Sequence, residues 1–297
     1  MIFDIVSYFN EIELLRLRLH TLRELVDVFV IVESNVTHSG KKKNYTLERH
    51  LDDLKCHYNI IYIKHVGLEN PENSWVNENN QRNSATNELD ISEGDTVLIS
   101  DVDEIPSAKF INSVVSSNFK GVHISIQEMS FFWPNLRSSE VPMWMGGTRA
   151  IKWMNRNLID SWRSSYSNSF LEEYNLGFTL TKLRLVNMGR PVLNGGWHLS
   201  YYGGPERISK KLSSFAHTEL NAEESSLTRI ENLMTYHRGF FGNESYSVFG
   251  SYLECNDIER VPDKFDRGTL ATRLVARLVA LKYYGKIYLK YFGKMFV

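Results

Sequence analysis

Hydrophobic runs and amphipathic stretches alternate along the first 120 residues. The apolar runs at 2–9 and 27–32, rich in Ile, Val and aromatic residues, predict buried strands. Between them, residues 11–25 predict an amphipathic helix, with apolar side chains three or four positions apart at Ile12, Leu15, Leu19, Leu22 and Leu25. Continuous apolar strands are typical of a parallel sheet that helices cover on both faces. The order strand, helix, strand therefore predicts an α/β fold.

The alternation continues to about residue 120 and then becomes less regular. Residues 59–66 and 96–100 predict two more strands, with a polar helix over 73–92 between them and a further helix that begins at Pro106. Later candidate strands lie at 121–133, 147–154 and 195–202, and helical spacing follows Pro205. Because no low-complexity linker interrupts this order, we expect one domain over 1–225 and a helical C-terminal extension over 226–297.

Charge and composition narrow the range of partners. The formal net charge is -1, so no overall positive field would hold a polyanion, and nucleic acid is not expected as a partner. Cys56 and Cys255 lie far apart and form no CxxC motif, which suits two ordinary thiols in a reducing compartment. Asp4, Glu11 and Glu13 interrupt the apolar run that a signal peptide would need. We therefore expect a cytoplasmic protein, soluble or peripheral at the inner face of a membrane.

An acidic motif, Asp101-Val102-Asp103-Glu104, follows the strand predicted at 96–100. Alternation along an extended backbone would point Asp101 and Asp103 to one side, about 6–7 Å apart. Two such carboxylates can hold one divalent cation and would repel each other without it. Ligands of open α/β sheets bind outside the carboxyl ends of the strands, so a cation here predicts a nucleotide-diphosphate substrate. The alternative is a solvated acidic turn that caps the following helix.

Two further strand ends should meet at the same edge of the sheet. The first strand ends near Tyr8, Asn10 and Glu11, and the second ends at Glu33 and Ser34. Polar side chains placed there can bind a uracil edge and ribose hydroxyls, while an aromatic ring can stack on the base. The alternative for Asn10 and Ser34 is a helix-capping role.

Five motifs follow one another in the chain: YFNEIELLRLRLHTL, VDVFVIVESN, Gln81-Arg82-Asn83, ISDVDEIP and GGWHLSYYGGPERISKKLSSFAHTE. In this order they resemble glycosyltransferase family 17, the family of the β-1,4-mannosyl-glycoprotein 4-β-N-acetylglucosaminyltransferase, over residues 2–220. The resemblance implies a GT-A type (Rossmann-like), mostly parallel sheet flanked by helices. It also implies a UDP-sugar donor that carries N-acetylglucosamine, a glycan acceptor, Mn²⁺ or Mg²⁺ on Asp101 and Asp103, and inversion at the anomeric carbon. A lipid-linked glycan is the acceptor that a membrane-binding segment at the end of the chain would suit.

The resemblance also suggests roles for individual residues. His198 is the candidate third metal ligand, with a packed core histidine as the alternative. Arg82 and either Lys210 or Lys211 would neutralise diphosphate charge, with a solvated helix face as the alternative. The remaining candidates for nucleotide contact are Gln81, Ser100 and Trp197. The base that deprotonates the acceptor stays open among four carboxylates, Glu104, Glu128, Asp160 and Glu219.

Other function classes remain as alternatives. A sugar-phosphate nucleotidyltransferase could use the same acidic pair, but we would expect a Gly-rich basic loop after its first strand, where this chain has Asn-Glu-Ile-Glu. A phosphatase with an aspartyl nucleophile would carry the pair on its first strand, and is disfavoured. A non-catalytic carbohydrate-binding protein is suggested by the tryptophans in the middle of the chain, Trp133, Trp144, Trp153, Trp162 and Trp197.

The last residues, 267–297, contain Arg and Lys but no acidic residue, and the cations recur mostly every four or five positions among Leu, Val, Tyr and Phe. This pattern is typical of a helix that lies in a membrane interface, each cation contributing about 1 kcal/mol on anionic lipid. The alternative is a helix that packs on the domain or pairs in a homodimer. We expect the full chain to co-sediment with anionic but not neutral vesicles, less so in high salt, and a chain truncated after Gly268 to stay in solution. Full-length protein that remains in the supernatant at low salt would contradict the membrane hypothesis.

Overall fold

A computed structural model of the chain describes residues 1–69, 74–85, 88–134, 136–138, 142–154, 183, 189–212, 226–235 and 246–248. Asp160, Trp162 and Glu219 lie outside the described residues, as does the basic segment 267–297. The predictions made for them therefore stay predictions. Within the described residues, no helix is long and apolar enough to cross a membrane.

The secondary structure follows the predicted alternation in the first half of the chain. The strands are β1 (Ile2–Tyr8), β2 (Val28–Ser34), β3 (Ile60–His65), β4 (Thr96–Asp101), β5 (Glu104–Pro106), β6 (His123–Phe131), β7 (Leu136–Ser138), β8 (Met143–Trp144), β9 (Arg149–Lys152), β10 (Arg190–Ser200) and β11 (Tyr246–Val248). The helices are α1 (Ile12–Leu22), α2 (Glu48–Lys55), α3 (Ser74–Ser84), α4 (Ala108–Val115), α5 (Pro205–Leu212) and α6 (Leu227–Thr235).

The described strands form one mixed sheet. Its first half, in the order β3-β2-β1-β4, is parallel, whereas β9 joins β4 antiparallel and β6 joins β9 antiparallel. The α/β class is confirmed, but the expectation of a mostly parallel sheet holds only for this first half and for the pair β6 and β10. An apolar strand covered on both faces has the same pattern whichever way it runs, so the sequence could not reveal these directions.

Helices α1 and α4 cover one face of the parallel half. On this face, α1 contributes Leu15, Leu19 and Leu22, and α4 contributes Phe110 and Val114, to a buried cluster with Val6, Ile31 and Leu98 of the strands. The other face buries a second cluster that includes Phe3, Val30 and Ile99. Helix α3 differs because its buried residues are polar: Asn77, Asn79, Gln81 and Arg82. Its polar face contacts strand ends and loops, which brings α3 to the edge of the sheet where ligands bind in this class.

The helix predicted to begin at Pro106 begins at Ala108 instead. Pro106 ends the short strand β5, which pairs antiparallel with β10. Ser107 is the helix N-cap, and its hydroxyl accepts a hydrogen bond from the Phe110 backbone N–H at 3.2 Å. Proline suits a first helical turn but also an edge strand, and a strand of three residues carries no periodic pattern.

Strand β10 links the two parts of the sheet. A β-bulge separates its pairing at Val192 from its pairing at Gly196, after which β10 contacts both β5 and β6. Gly196 has a φ of +146°, and a Cβ at this position would stand 2.0 Å from the Ile105 carbonyl oxygen. Only glycine allows this close approach. As a result, His198 lies opposite Glu104 in the β5–β10 ladder.

Residues beyond 225 also contact the sheet domain. Ile230 and Met234 of α6 share a buried cluster with Ile208 and Leu212 of α5, and β11 pairs antiparallel with β7. Strand β11 falls in the range 226–297 that was predicted to be a helical extension. A three-residue strand depends on its partner strand and leaves no signal of its own in the sequence.

The capping role of Ser107 gives a direct test of the boundary of α4. The Ser107→Ala variant should lower the free energy of unfolding by about 1–2 kcal/mol, because it removes the cap and the bond from Ser107 to the Asn194 carbonyl. Ser116→Ala, which changes the same side chain at the other end of α4, is the matched control. Urea denaturation measures both, and equal stabilities for the two variants would contradict the capping role.

Candidate functional site

The acidic motif forms a turn at the edge of the sheet. Strand β4 ends at Asp101, Val102 and Asp103 form the turn, and β5 begins at Glu104. The predicted alternation of Asp101 and Asp103 along one extended strand is therefore wrong, because the strand ends between them. The side chain of Asp101 is 41% exposed, whereas that of Asp103 is 8% exposed. A different protein cation contacts each of these two carboxylates.

Asp101 contacts α3. The Arg82 guanidinium lies 2.8 Å from an Asp101 carboxylate oxygen and 2.6 Å from a Glu78 carboxylate oxygen. Burial disfavours the charged form of Arg82, but the carboxylates of Asp101 and Glu78 outweigh this effect and raise the pKa of Arg82 above its ordinary value. The predicted position of Arg82 beside the acidic motif is therefore correct, and this cation stays charged at any physiological pH.

Asp103 contacts α5. The Lys211 ammonium lies 2.9 Å from an Asp103 carboxylate oxygen and 3.7 Å from a Glu11 carboxylate oxygen. Burial disfavours the charged form, but Asp103 and Glu11 outweigh it and raise the pKa of Lys211. The ammonium also lies 5.9 Å from the centre of the Tyr201 ring. Lys210, the other candidate, is exposed on the same helix, so the geometry favours Lys211.

His198 approaches Asp103 from β10. Its Nε2 lies 3.8 Å from an Asp103 carboxylate oxygen, and its buried Nδ1 has no hydrogen-bond partner among the described residues. Its ring lies 4.7 Å, centre to centre, from that of Trp144. Asp101 does not join this pair: in the described part of the chain, no three His, Cys, Asp or Glu side chains come close enough to form a metal site. The Asp103 carboxylate suits Mg²⁺ or Mn²⁺, which favour oxygen ligands and usually complete their coordination with water and substrate phosphate.

Two of the four candidate bases can be compared. Glu104 is 1% exposed and accepts hydrogen bonds from the Trp144 indole N–H at 2.7 Å and the Asp101 backbone N–H at 3.2 Å. These bonds orient Glu104 towards the interior of the turn. Glu128 is partly exposed on β6 and lies 2.6 Å from the Arg137 guanidinium. Burial raises the pKa of Glu128, and Arg137 only partly opposes this rise. Glu128 pairs with Trp197 and His198 with Met129, so the Glu128 side chain lies on the face of the sheet opposite His198, and the choice of base stays open.

Several residues predicted to bind the nucleotide instead hold together the strands, loops and helix around the site. Glu33 is 0% exposed, and its carboxylate accepts hydrogen bonds from the Thr46 and Leu47 backbone N–H groups and from the Lys43 ammonium and Tyr62 hydroxyl. Glu33 thereby holds the 43–47 loop against the end of β2. These bonds place Glu33 beneath a binding surface rather than on it.

Gln81 and Ser100 have a similar supporting place. The Gln81 amide donates to the carbonyls of Tyr8 at 3.2 Å and Val32 at 2.8 Å, which fixes α3 to the ends of β1 and β2. The Ser100 hydroxyl accepts a hydrogen bond from Arg18. Tyr8 is buried, and burial raises the pKa of its hydroxyl.

Asn10 and Glu11 lie in the loop between β1 and α1. The Asn10 side-chain oxygen accepts a hydrogen bond from the Thr46 hydroxyl at 2.7 Å, and Glu11 accepts from the backbone N–H groups of Phe9 and Asn10. Trp197 is partly buried and packs on the cluster beneath α1 and α4. Of the predicted binding residues, Glu11, Arg82 and Lys211 therefore come together around the turn, while Asn10 contacts Thr46 and Trp197 packs on the hydrophobic cluster.

Sequence reasoning missed one contributor, Arg18. Its side chain is fully buried beneath the acidic turn and pairs with Asp4 of β1. The signal was present, because Arg18 lies among the apolar positions of α1 and Asp4 interrupts an apolar strand. Two opposite charges inside buried elements indicate a paired, functional or structural contact.

Comparisons with known proteins agree with the resemblance found in the motifs. Residues 1–140 match glycosyltransferase family 17, the family that the sequence motifs resemble, and this match supports glycosyl transfer as the general activity. No curated protein matches the chain. Among solved structures, 4-diphosphocytidyl-2C-methyl-D-erythritol synthase superimposes with a TM-score of 0.36 and 12% identity, covering 65% of this chain and 88% of that one.

The contact between Lys211 and Asp103 can be tested by stability. Lys211→Gln should lower the free energy of unfolding by about 1–3 kcal/mol, because it leaves the largely buried Asp103 carboxylate without its nearest cation. Lys210→Gln removes the same charge from an exposed position on α5 and should change it by less than about 0.5 kcal/mol. Chemical denaturation of both variants decides, and similar losses would show that Lys211 does not stabilise Asp103.

Proposed function

From the family 17 match over residues 1–140, we propose that this protein is a metal-dependent inverting glycosyltransferase. It transfers N-acetylglucosamine from a UDP-sugar to a glycan acceptor. The observation that carries the proposal is the convergence of Arg82, Lys211, Asp103 and His198 on one turn at the carboxyl edge of the parallel strands. This edge is where open α/β sheets bind nucleotides.

The cluster of carboxylates at the site supports a divalent cation. Around the turn, the carboxylates of Glu11, Glu78, Asp101 and Asp103 lie close together, in contact with Arg82 and Lys211. These carboxylates would repel an approaching diphosphate. A divalent cation would offset this repulsion, so binding of the donor should depend on it.

Asp103 and His198 would hold the Mn²⁺ or Mg²⁺ ion, with Asp101 on the other side of the turn. When bound, such an ion stabilises negative charge on a departing diphosphate. Arg82 of α3 donates to Asp101 and Lys211 of α5 donates to Asp103, and both side chains can donate hydrogen bonds to phosphate oxygens. The donor phosphates would therefore lie close to these two side chains.

The base stays open among Glu104, Glu128, Asp160 and Glu219. Glu128 pairs with Trp197 in the register of β6 with β10, whereas His198 pairs with Met129, so the side chains of Glu128 and His198 lie on opposite faces of the sheet. Glu104 lies opposite His198 in the β5–β10 ladder and shares its face. A carboxylate on that face can accept the proton of an acceptor hydroxyl as the oxygen attacks the sugar.

The alternatives fit the structure less well. In the loop after β1, where a nucleotidyltransferase would need a basic, Gly-rich cradle, Glu11 folds back on its own backbone. Of the tryptophans that suggested a carbohydrate-binding protein, Trp133 is buried, Trp153 and Trp197 pack on hydrophobic clusters, and Trp144 donates to Glu104. These side chains contribute to packing and to the site instead of forming an open sugar-binding platform.

The proposal also includes the acceptor and the place where the protein would meet it. A lipid-linked glycan would be reached at the inner face of a membrane, where the basic segment 267–297 can bind anionic lipid.

Metal-dependent nucleotide binding is the decisive test. UDP should raise the melting temperature only when Mn²⁺ is present, with a stabilisation of about 2.7 kcal/mol at a hundredfold excess over Kd. Asp103→Asn should abolish this effect, because it removes the carboxylate that faces His198. Asp53→Asn, at an exposed position on α2, is the matched control and should behave as the wild type.

The same thermal-shift series separates the competing functions. Equal stabilisation by UDP with and without Mn²⁺, or in Asp103→Asn, would overturn the metal-dependent proposal. A protein that responds to glycans but to none of several nucleotide diphosphates would be a binding protein. His198→Ala should need more Mn²⁺ for the same shift, and a lower melting temperature with unchanged Mn²⁺ dependence would indicate a packing role only.

A further inference from the structure

Arg18 uses all of its hydrogen-bond donors inside the protein. Its Nε and one Nη2 proton bind the two Asp4 carboxylate oxygens at 2.7 and 2.6 Å, and Nη2 also donates to the Ser100 hydroxyl at 2.7 Å. Its Nη1 donates to the backbone carbonyls of Asp101 at 3.2 Å and Glu104 at 2.8 Å. A guanidinium has five N–H groups in a planar fork, and these contacts occupy every one of them.

The two carbonyl contacts are the informative ones. Asp101 and Glu104 are the first and last residues of the acidic turn, so one rigid, planar group holds both of its ends. The segment between them carries Asp103, whose own carbonyl accepts a hydrogen bond from the Leu199 N–H at 2.8 Å. The separation between the two strand ends, and with it the place of both aspartate side chains, is therefore set by Arg18.

Stability alone does not explain this arrangement. A buried ion pair is often no more stable than well-packed apolar residues of similar volume, because both charges lose their hydration. Asp4 compensates the charge of Arg18 from the neighbouring strand β1. Because Asp4 compensates the charge, the two N–H groups on Nη1 can donate to the backbone carbonyls of the turn.

We propose that Arg18 is the positioning residue of the donor site: it sets the geometry of the Asp101–Glu104 turn and thereby the affinity for the nucleotide diphosphate. The inference rests on the proposed function for its second half, the effect on donor binding. Arg18 is fully buried and acts only through the turn, so it has no contact with substrate.

The test variant changes both members of the buried pair, Asp4→Asn with Arg18→Gln. Neither change leaves an isolated buried charge, and the shorter glutamine cannot reach Asp4 and both carbonyls together. The matched control carries the same two changes in the exposed pair of α1 and α2, Arg16→Gln with Asp53→Asn. Both variants thus lose one cation from α1 and one aspartate charge, but only the first loses contact with the turn.

Two measurements are made on each folded variant. Hydrogen exchange followed by mass spectrometry reports on the segment 101–105 and on the Leu199 amide, and calorimetry measures the Kd for UDP with Mn²⁺. In the Asp4→Asn, Arg18→Gln variant we expect at least tenfold faster exchange in the turn and at least tenfold weaker UDP binding. The control should match the wild type in both.

Each outcome decides a separate part of the inference. Unchanged exchange in the turn overturns the positioning role, and faster exchange with unchanged UDP affinity overturns its effect on the donor. If wild type binds no nucleotide, the proposed function fails, while exchange alone still decides whether Arg18 holds the turn. If the double variant does not fold, Arg18→Lys is measured in the same way, because lysine can pair with Asp4 but cannot hold both carbonyls. It should then show the same changes in the turn.

Discussion

The site depends on one requirement. A guanidinium buried in the centre of the protein needs a hydrogen-bond acceptor for every N–H group and an opposite charge beside it. Arg18 meets this requirement with Asp4 of β1, Ser100 of β4 and the two carbonyls that bound the acidic turn. The same contacts join α1 to the centre of the parallel sheet. The geometry of the turn at the sheet edge is thus a consequence of the contacts that compensate one buried charge. The exposed side chains of the turn are placed by the hydrogen bonds that its backbone carbonyls accept in the core.

Cationic side chains from two helices pair with the carboxylates of the turn. Arg82 of α3 contacts Asp101 and Glu78, and Lys211 of α5 contacts Asp103. Each cation is held close to the place where donor phosphates would bind, which reduces the entropy that would be lost on ordering a long side chain. In the proposed chemistry, a divalent cation would reduce the repulsion between these carboxylates and the donor phosphates.

The match to family 17 ends at residue 140, before two of the contributors to the site. Residues 1–140 include the parallel strands, the acidic turn, Arg18 and Arg82, whereas His198 and Lys211 come from β10 and α5. The bulge in β10 and the close approach at Gly196 bring this later segment back to the turn. The acidic turn and Arg82 are therefore contained in the matched region, whereas His198 and Lys211 come from the rest of the chain.

The sequence by itself determined the elements with a strong local period, β1, α1, β2, β3 and β4, and the position of the acidic motif after β4, because period and turn position are properties of neighbouring residues. It also identified Arg82 and His198 as candidates through the family resemblance. Only the tertiary structure decided that β9 runs antiparallel, that Pro106 ends a strand paired with β10, and that Arg18 holds the turn. Each of these features depends on contacts between segments far apart in the chain. Such contacts contribute no stabilising free energy until the sheet and its covering helices have come together.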